Sequence, residues 1–494
     1  MDNSFEPSFA GCGTLEYGHT GLPTELPWVP MVSAPARYPL SAWMTTMHEL
    51  IRHPERSSSS ILRADIWEED AGEVEHGPMA CTFRCIRRLL PRRSHVDSAM
   101  LEECAIYADD SSAFVVYTAL RTSPEGETSS SRSGGMLAAS KRTQADLATA
   151  SEMPYYHPAV RCVSLHYSAG GVRIDYVPFE SSDLSDNGRL GRTALQMLRL
   201  VHKHSCGNAN SYEKRVHHDI IVPRDVYQDY YMELRTRYAG RLIDTWQEAT
   251  DPKKHVFEDI AIAAWLITLW RRSYGGAPPG GFVDLGCGNG LLVHILASEG
   301  FRGFGFDARA RKSWPAYSAD LREVHIDPQA LVDNPAMIPH GAFLIGNHAD
   351  ELTPWVPAIA TAAKASGFVN IPCCTWKKDG TRFTNTSIDH DLKEALDRLS
   401  GADTAMPLET PPSPHDALVP STREEFAART LWHLRRCTTS SDDAGTSKHF
   451  AYYAYIARLH LESGWPLETE VLRIPSTKNW AFVARVAHAQ LCSE

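Results

Sequence analysis

The strongest chemical signal in the sequence is the run Phe282-Val283-Asp284-Leu285-Gly286-Cys287-Gly288-Asn289-Gly290. An apolar segment enters a glycine-rich turn and continues into Leu291, Leu292, Ile295 and Leu296, the spacing of an amphipathic helix that ends at Gly300. Glycines let the backbone bend sharply and approach a ligand closely. Asp307 falls at the end of the next short apolar run, where a carboxylate can accept hydrogen bonds from the two ribose hydroxyls of an adenosine. Dinucleotide sites favour G-x-G-x-x-G, with the pyrophosphate on a helix N-terminus. Here the glycines alternate as G-x-G-x-G, and Asp284 precedes them. A carboxylate at that point repels a pyrophosphate but suits the ammonium of a methionine moiety. The pattern therefore predicts an S-adenosylmethionine site built from Asp284, Gly286, Cys287, Gly288, Asn289, Gly290 and Asp307. The competing reading is a glycine turn between two elements, with no ligand.

Other segments suit the same crevice. Phe343-Leu344-Ile345 runs into Gly346-Asn347-His348-Ala349-Asp350-Glu351. In an open α/β sheet the carboxyl ends of the strands face the ligand, which brings Asn347, His348 and Asp350 beside a sulfonium. Asp350 also reads as the N-cap of a helix starting near Thr353. Asn370-Ile371-Pro372-Cys373-Cys374 ends a further apolar run. No second Cys/His pair stands at ligand spacing, so these residues, Pro372 among them, are expected to line the crevice and no metal site is expected. Cys81 and Cys85 are expected to be packed on a strand.

Toward the end of the chain, Arg473, Ser476, Thr477 and Lys478 crowd one turn between two apolar runs. If those runs form a closing hairpin, the turn lies on the cofactor edge and its donors suit a phosphate or ribose. Far upstream, Arg84, Arg87, Arg88, Arg92 and Arg93 surround Leu89-Leu90-Pro91. They read either as contacts to RNA phosphates or as a solvated strand edge that charge protects from aggregation.

The elements that must position these groups form two domains, since 494 residues exceed one ordinary core. A hydrophobic share of 43% with 22% charged residues describes a soluble globular chain. The net charge of −11 argues against nucleic acid covering the whole surface, though not against a local basic patch. Eleven cysteines without regular spacing, and a start free of any basic-then-apolar leader, point to a reducing compartment, with the cytoplasm as the expectation. No membrane span is expected; Ile260 to Trp270, the longest apolar stretch, reads as a buried helix.

Residues 1–60 carry many prolines and end in Ser57-Ser58-Ser59-Ser60, and read as a loosely ordered arm. Residues 61–215 read as an α+β domain with strands at Thr82–Leu90, Phe114–Leu120 and Val163–Pro178, a Ser-rich loop over Ser123–Gly135, and a helix around Ala194–His204. Residues 216–494 read as a catalytic domain with a helical lead-in over 216–275. Its strands are expected at Phe282–Leu285, Gly303–Phe306, Glu323–Ile326, Ala342–Ile345 and Phe368–Ile371, followed by a hairpin of Glu468–Ile474 and Trp480–Ala487. The fold class is thus α/β, a class I (Rossmann-like) methyltransferase domain with a mostly parallel seven-stranded sheet. Residues 401–447 read as a surface insertion.

Several blocks in order carry a narrower resemblance: Arg87–Arg93 (RRLLPRR), Tyr156-His157-Pro158, His217–Pro223 (HHDIIVP), His255–Ala263 (HVFEDIAIA), Asp284–Leu292, Gly346–Trp355 (GNHADELTPW) and Arg473–Lys478 (RIPSTK). Together they resemble the eukaryotic tRNA (uracil-2′-O-)-methyltransferases that modify uridine-44 of serine tRNA, chiefly the fungal branch. The glycine motif alone indicates only the superfamily; GNHADELTPW and RIPSTK carry the narrower likeness. The resemblance implies S-adenosylmethionine as donor and a tRNA ribose hydroxyl as acceptor, serine tRNA being the expected partner. It covers the chain from about residue 80 onward, without the C-terminal zinc finger of some animal relatives.

That reaction is an in-line attack of a 2′-hydroxyl oxygen on a methyl carbon, helped by alignment and by a base that contributes about 10²–10⁴-fold. Many ribose methyltransferases use a Lys-Asp-Lys-Glu set, which is not assembled here. The available catalytic candidates are Lys478, Asp350 and His348, with Lys478 orienting or activating the ribose and Asp350 supporting it. Two other readings stand beside this one. The same fold could act on a protein or small molecule, or the chain could be a cofactor-binding RNA-binding subunit without catalysis.

Overall fold

The computed structural model describes residues 5–9, 28–70, 74–76, 79–121, 148–168, 171–180, 182–210, 218–384, 428–434 and 448–485. The chain divides into two units, Met1–Glu213 and Lys214–Glu494. Among the described residues no helix is long and apolar enough to cross a membrane.

In the first unit nine strands form one antiparallel sheet: β1 Ser8–Phe9, β2 Val29–Ala34, β3 Ile61–Asp70, β4 Val74–His76, β5 Met79–Pro91, β6 Met100–Ala108, β7 Ala113–Leu120, β8 Val160–Ser168 and β9 Gly171–Pro178. Their order is β1-β2-β9-β8-β7-β6-β5-β3, with β4 paired to β5. Two helices, α1 Leu40–Arg52 and α2 Arg189–Ala209, cover a face of it. In α2, Leu190, Ala194, Leu198 and Val201 are buried at helical spacing. They share a core with Trp43, Met47 and Ile51 of α1 and with Val115, Val163, Ile174 and Tyr176 of the sheet.

The expectation of a loosely ordered arm over 1–60 is therefore corrected for residues 28–60. Strand β2 pairs with β9, and α1 inserts Trp43 and Ile51 fully into the core. The stretch Val163–Pro178 is two strands of a hairpin rather than one. The Ser-rich loop over Ser123–Gly135 lies outside the described residues.

The second unit opens with α3 Arg224–Asp244 and α4 Pro252–Tyr274. Helix α4 has matched ends: Asp251 accepts from Lys253 N at the start, Pro252 is the first residue, and Gly275 closes it at φ 67°. Every residue from Ile260 to Trp270 is buried, as a helix that is apolar all round requires. The sheet follows: β10 Phe282–Leu285, β11 Gly303–Asp307, β12 Asp320–Glu323, β13 Phe343–Asn347, β14 Gly367–Ile371, β15 Glu468–Val471 and β16 Trp480–Ala484. Helices α5 Leu291–Ser298, α6 Pro328–Asp333, α7 Val356–Ala362 and α8 Lys448–Glu462 accompany it. The third strand lies at Asp320–Glu323 rather than at the expected Glu323–Ile326.

Strand order is β12-β11-β10-β13-β14-β16-β15, and only β16 runs antiparallel to its neighbours. The chain starts in the middle at β10, works outward to β12, then crosses back to β13. That reversal leaves a crevice at the carboxyl ends of β10 and β13, where open α/β sheets take ligands. Of the expected surface insertion over 401–447, residues 428–434 are described and form a helix. Correcting the expectation there, His433 and Leu434 are fully buried, and His433 Nδ1 accepts from Thr469 N of β15 at 2.9 Å. The rest of the insertion lies outside the described residues.

Candidate active site

The turn after β10 needs three residues in left-handed backbone: Gly286, Gly288 and Gly290 have φ of 73°, 53° and 77°. Side chains rarely adopt that region, which explains glycine at alternate positions. The turn is anchored by Gly286 N and Cys287 N, both donating to Phe306 O at 2.9 Å. Asn289 Oδ1 accepts from Leu291 N at 2.9 Å, and Trp314 Nε1 donates to Gly288 O at 2.9 Å. Cys287 is buried, and burial pushes its thiol far up, so it packs as a neutral group.

Two aspartates flank this turn. Asp307, at the end of β11, accepts from Gly288 N at 2.9 Å and from Arg309 N at 3.1 Å. Asp284 is only 2% exposed, and its Oδ1 has no hydrogen-bond partner among the described residues. Burial, and then the charge of Asp307, push its carboxyl up to about 8. An arriving cation would favour the charged form of this carboxyl, whose free oxygen lies beside the glycine turn.

Helix α4 adds two carboxylates that sequence reasoning did not single out. Glu258 is buried, and its Oε1 lies 3.1 Å from His348 Nε2. Burial pushes Glu258 up, but the hydrogen bond and charge of His348, with His255 and Lys254, hold it below its ordinary value. Half-buried Asp259 is raised well above its ordinary value by burial, then by Glu258 and Asp284. The only sequence signal was their place in the HVFEDIAIA block; nothing in their spacing shows that Glu258 meets His348.

After β13, His348 and Asp350 both adopt left-handed backbone, at φ 52° and 44°. Such residues cost of order 1–3 kcal/mol each and cluster at functional sites. His348 N stays bonded to Ile371 O at 3.1 Å, while its Nδ1 and Asn347 Oδ1 are buried without partners among the described residues. Asp350 is exposed and does not cap the helical turn Asp350–Trp355, whose N-cap is Ala349. Its Oδ1 instead accepts from the Cys373 thiol at 3.6 Å. Pro372 is buried, with Cys373 and Cys374 half-buried beyond it. One ligand atom each from Asp350, Cys373 and Cys374 lie within 4.8 Å of one another. Burial, Cys374 and Asp350 push the Cys373 thiol up to about 12, so Cys373 stands as a neutral thiol. Asn370 is fully buried and fastens Thr353 O through its Nδ2 at 2.7 Å.

The hairpin turn is tied to the lead-in. Arg473 Nε donates to Asp219 Oδ1 at 2.8 Å, and Tyr227 OH donates to Arg473 O at 3.1 Å. Glu470 accepts from Ile221 N and Val222 N at 2.8 and 3.3 Å. The segment 218–223 is thus a clamp on the terminal hairpin, and the Arg473 guanidinium has a structural partner. Ser476 Oγ accepts from Lys478 N at 3.2 Å, and Thr477 is exposed. Lys478 Nζ is bonded to the His449 ring, and the structure brings no ion pair between Lys478 and Asp350.

The arginine cluster of the first unit splits in two. Arg87 is buried, donating to Glu102 from Nε and Nη2 at 2.8 and 2.6 Å and to Leu50 O at 3.1 Å. His157 completes the network, its Nε2 2.9 Å from Glu102 Oε1. Arg84 is likewise buried against Glu103. The expectation that Arg87 touches RNA is corrected, because its charge is matched inside the sheet. Arg88, Arg92 and Arg93 are exposed, Arg88 lying 5.9 Å over the ring of half-exposed Trp67.

Comparison with known proteins agrees with this arrangement. Residues 10–215 match the model described as a TRM44-like, N-terminal bet v1-like domain, and residues 221–332 match that of a predicted AdoMet-dependent methyltransferase. The chain is 34% identical to the tRNA (uracil-O(2)-)-methyltransferase of Neurospora crassa, covering 93% of this chain and 86% of that protein. It is 32% identical to the one of Schizosaccharomyces pombe, over 94% of this chain and 86% of that protein. It is 28% identical to the one of Saccharomyces cerevisiae, over 88% and 83%. No solved structure matches. On this identity over nearly its whole length, the chain belongs to the tRNA (uracil-O(2)-)-methyltransferase family.

Proposed function

We propose that the chain transfers a methyl group from S-adenosylmethionine to the ribose 2′-hydroxyl of a uridine in tRNA, uridine-44 of serine tRNA, in the cytoplasm. The catalytic unit is read as a class I, Rossmann-like methyltransferase domain, on the strand order and the crevice at the β10/β13 reversal. The observation that carries the reading is the orphaned, buried Asp284 carboxyl beside the glycine turn. It fits a cationic methionine tail and not a pyrophosphate.

Asp284 takes the ammonium, Asp307 takes the ribose hydroxyls, and Gly286 to Gly290 let the backbone approach the cofactor, with Asn347 and Pro372 lining the far side. When bound, the cofactor supplies an already activated methyl group on sulfur. The protein's share is to align the acceptor oxygen and remove its proton. Lys478, Asp350 and His348 are the candidate groups for this, Lys478 orienting or activating the ribose once it leaves His449. Ser476, Thr477 and Arg473 on the hairpin turn, and exposed Arg88, Arg92 and Arg93 on the first unit, are read as contacts to the RNA backbone.

The test supplies purified protein with labelled S-adenosylmethionine and unmodified serine tRNA, and maps the labelled nucleoside. A 2′-O-methyluridine beside the variable arm supports the reading. Label on another nucleoside, or transfer that tRNA does not compete for, overturns the proposed acceptor.

A further inference from the structure

The segment 308–319 carries three cations, Arg309, Arg311 and Lys312, and no acid, in a chain whose net charge is −11. All three cations are exposed. Among the described residues only Arg311 of the three is in an ion pair, a loose one at 3.5 Å from Asp307. The acids that bracket the segment are already engaged. Asp307 accepts from Gly288 N and Arg309 N, and Asp320 accepts from the Arg322 guanidinium at 2.6 Å. Three like charges within four residues repel one another, a cost that a bound anion removes.

The segment is fastened to the rim of the glycine turn. Ser313, only 2% exposed, donates from Oγ to Asn289 O at 2.7 Å and from N to Glu248 Oε1 at 3.0 Å. Trp314 Nε1 donates to Gly288 O at 2.9 Å, and Trp314 N closes a turn on Arg311 O at 3.3 Å. Folding thus fixes this backbone in advance, so less ordering opposes a ligand that meets the three side chains.

The position in the sheet says which ligand that is. The segment follows the carboxyl end of β11, on one side of the β10/β13 reversal. The turn that holds Ser476, Thr477 and Lys478 lies at the same edge, because β16 runs antiparallel to β14 and starts beside its carboxyl end. Strands β10, β13 and β14 separate β11 from β16, four strand spacings or about 19 Å. A ribose that enters the crevice between them carries a phosphate on either side along its own chain. Donors on one flank alone would hold only half of that backbone.

We propose that Arg309, Arg311 and Lys312 form a phosphate-binding strap that holds the tRNA backbone on the β11 side of the crevice, opposite the hairpin turn. This rests on the tRNA reading above and adds contacts on the flank which that reading leaves bare. The guanidinium fork matches phosphate oxygens, and the contacts position the RNA without reading its sequence.

The test measures the affinity of the full-length protein for unmodified serine tRNA over a salt series, beside calorimetric titration with S-adenosylhomocysteine. Arg309→Ala combined with Lys312→Ala should weaken tRNA binding about 10-fold near 0.1 M salt and flatten the slope of log affinity against log salt by about 1 to 2. Affinity for S-adenosylhomocysteine should stay at the wild-type value, which also shows that the unit is folded. Arg309→Lys combined with Lys312→Arg, which keeps the charge, should retain the wild-type slope. An unchanged slope in the alanine variant overturns the strap and returns these side chains to a solvated rim. A loss toward S-adenosylhomocysteine as large as that toward tRNA also overturns it, by assigning the segment to the cofactor. Wild type whose affinity for the tRNA does not fall with salt removes the tRNA reading and the inference with it.

Discussion

Arg87 and Glu102 face one another across β5 and β6, and the carboxylate takes two hydrogen bonds from the guanidinium while holding His157 on its other oxygen. Buried on every side, this network joins three parts of the first unit: the end of α1, the β5/β6 pair and the segment before β8. Removing one member leaves an uncompensated charge in the core. Arg87→Ala should therefore destabilise the first unit by about 3–5 kcal/mol in denaturant unfolding. A loss below about 1 kcal/mol would mean that water reaches Glu102.

The exposed arginines should behave in the opposite way. Replacing Arg88, Arg92 and Arg93 together by Ala should leave the melting temperature nearly unchanged and weaken tRNA binding. If all three meet phosphates, the slope of log affinity against log salt should flatten by about 2 to 3. An unaltered slope would return these side chains to the role of a solvated edge.

The two units should respond to pH in opposite directions. Asp284 is pushed up to about 8 and Glu470 to about 7, so their folded values exceed the unfolded ones. The stability linked to them is full below about pH 4 and is lost as pH rises through their folded values. Glu102 goes the other way: burial raises it, but Arg87 and His157 outweigh that and hold it at about 2. Its contribution is present above the unfolded value and is lost as pH falls toward 2. Calorimetry with hydrogen exchange to assign the transitions should show the methyltransferase unit weakening between about pH 5 and 9 and the first unit weakening below about pH 4. Saturating S-adenosylhomocysteine should flatten the first of these trends only.

Lys478→Ala should lower kcat by about 10²-fold while leaving cofactor affinity unchanged, if the amine orients or activates the ribose. Full activity in single-turnover kinetics would eliminate that role and leave His348 and Asp350 as the groups to test.

What could be read from the sequence follows from how locally each feature is encoded. The glycine turn, β10 and β13 were visible because short, doubly buried strands are continuous apolar runs punctuated by glycine. Strand β2 and helix α1 were hidden by Pro30, Pro35 and Pro39, although Trp43, Met47, Leu50 and Ile51 keep a helical spacing. Strand β6 was missed because Glu102 and Glu103 look solvated in the sequence; only their pairing with Arg87 and Arg84 makes them core residues. The meeting of Glu258 with His348 depends on how α4 packs, and no local pattern records it.

The placement of β16 between β14 and β15 has a consequence for how the protein is made. As the chain emerges from its amino end, β14 is complete more than a hundred residues before the strand that covers its edge. Through that interval the nascent catalytic unit carries an open row of backbone donors and acceptors, the kind of edge that pairs with a neighbouring chain. The clamp from Glu470 to Ile221 and Val222 also cannot close before β15 has been made. A ribosome stalled in the late insertion would therefore hold a half-closed sheet, so synthesis of this unit depends on finishing quickly or on being shielded until it does.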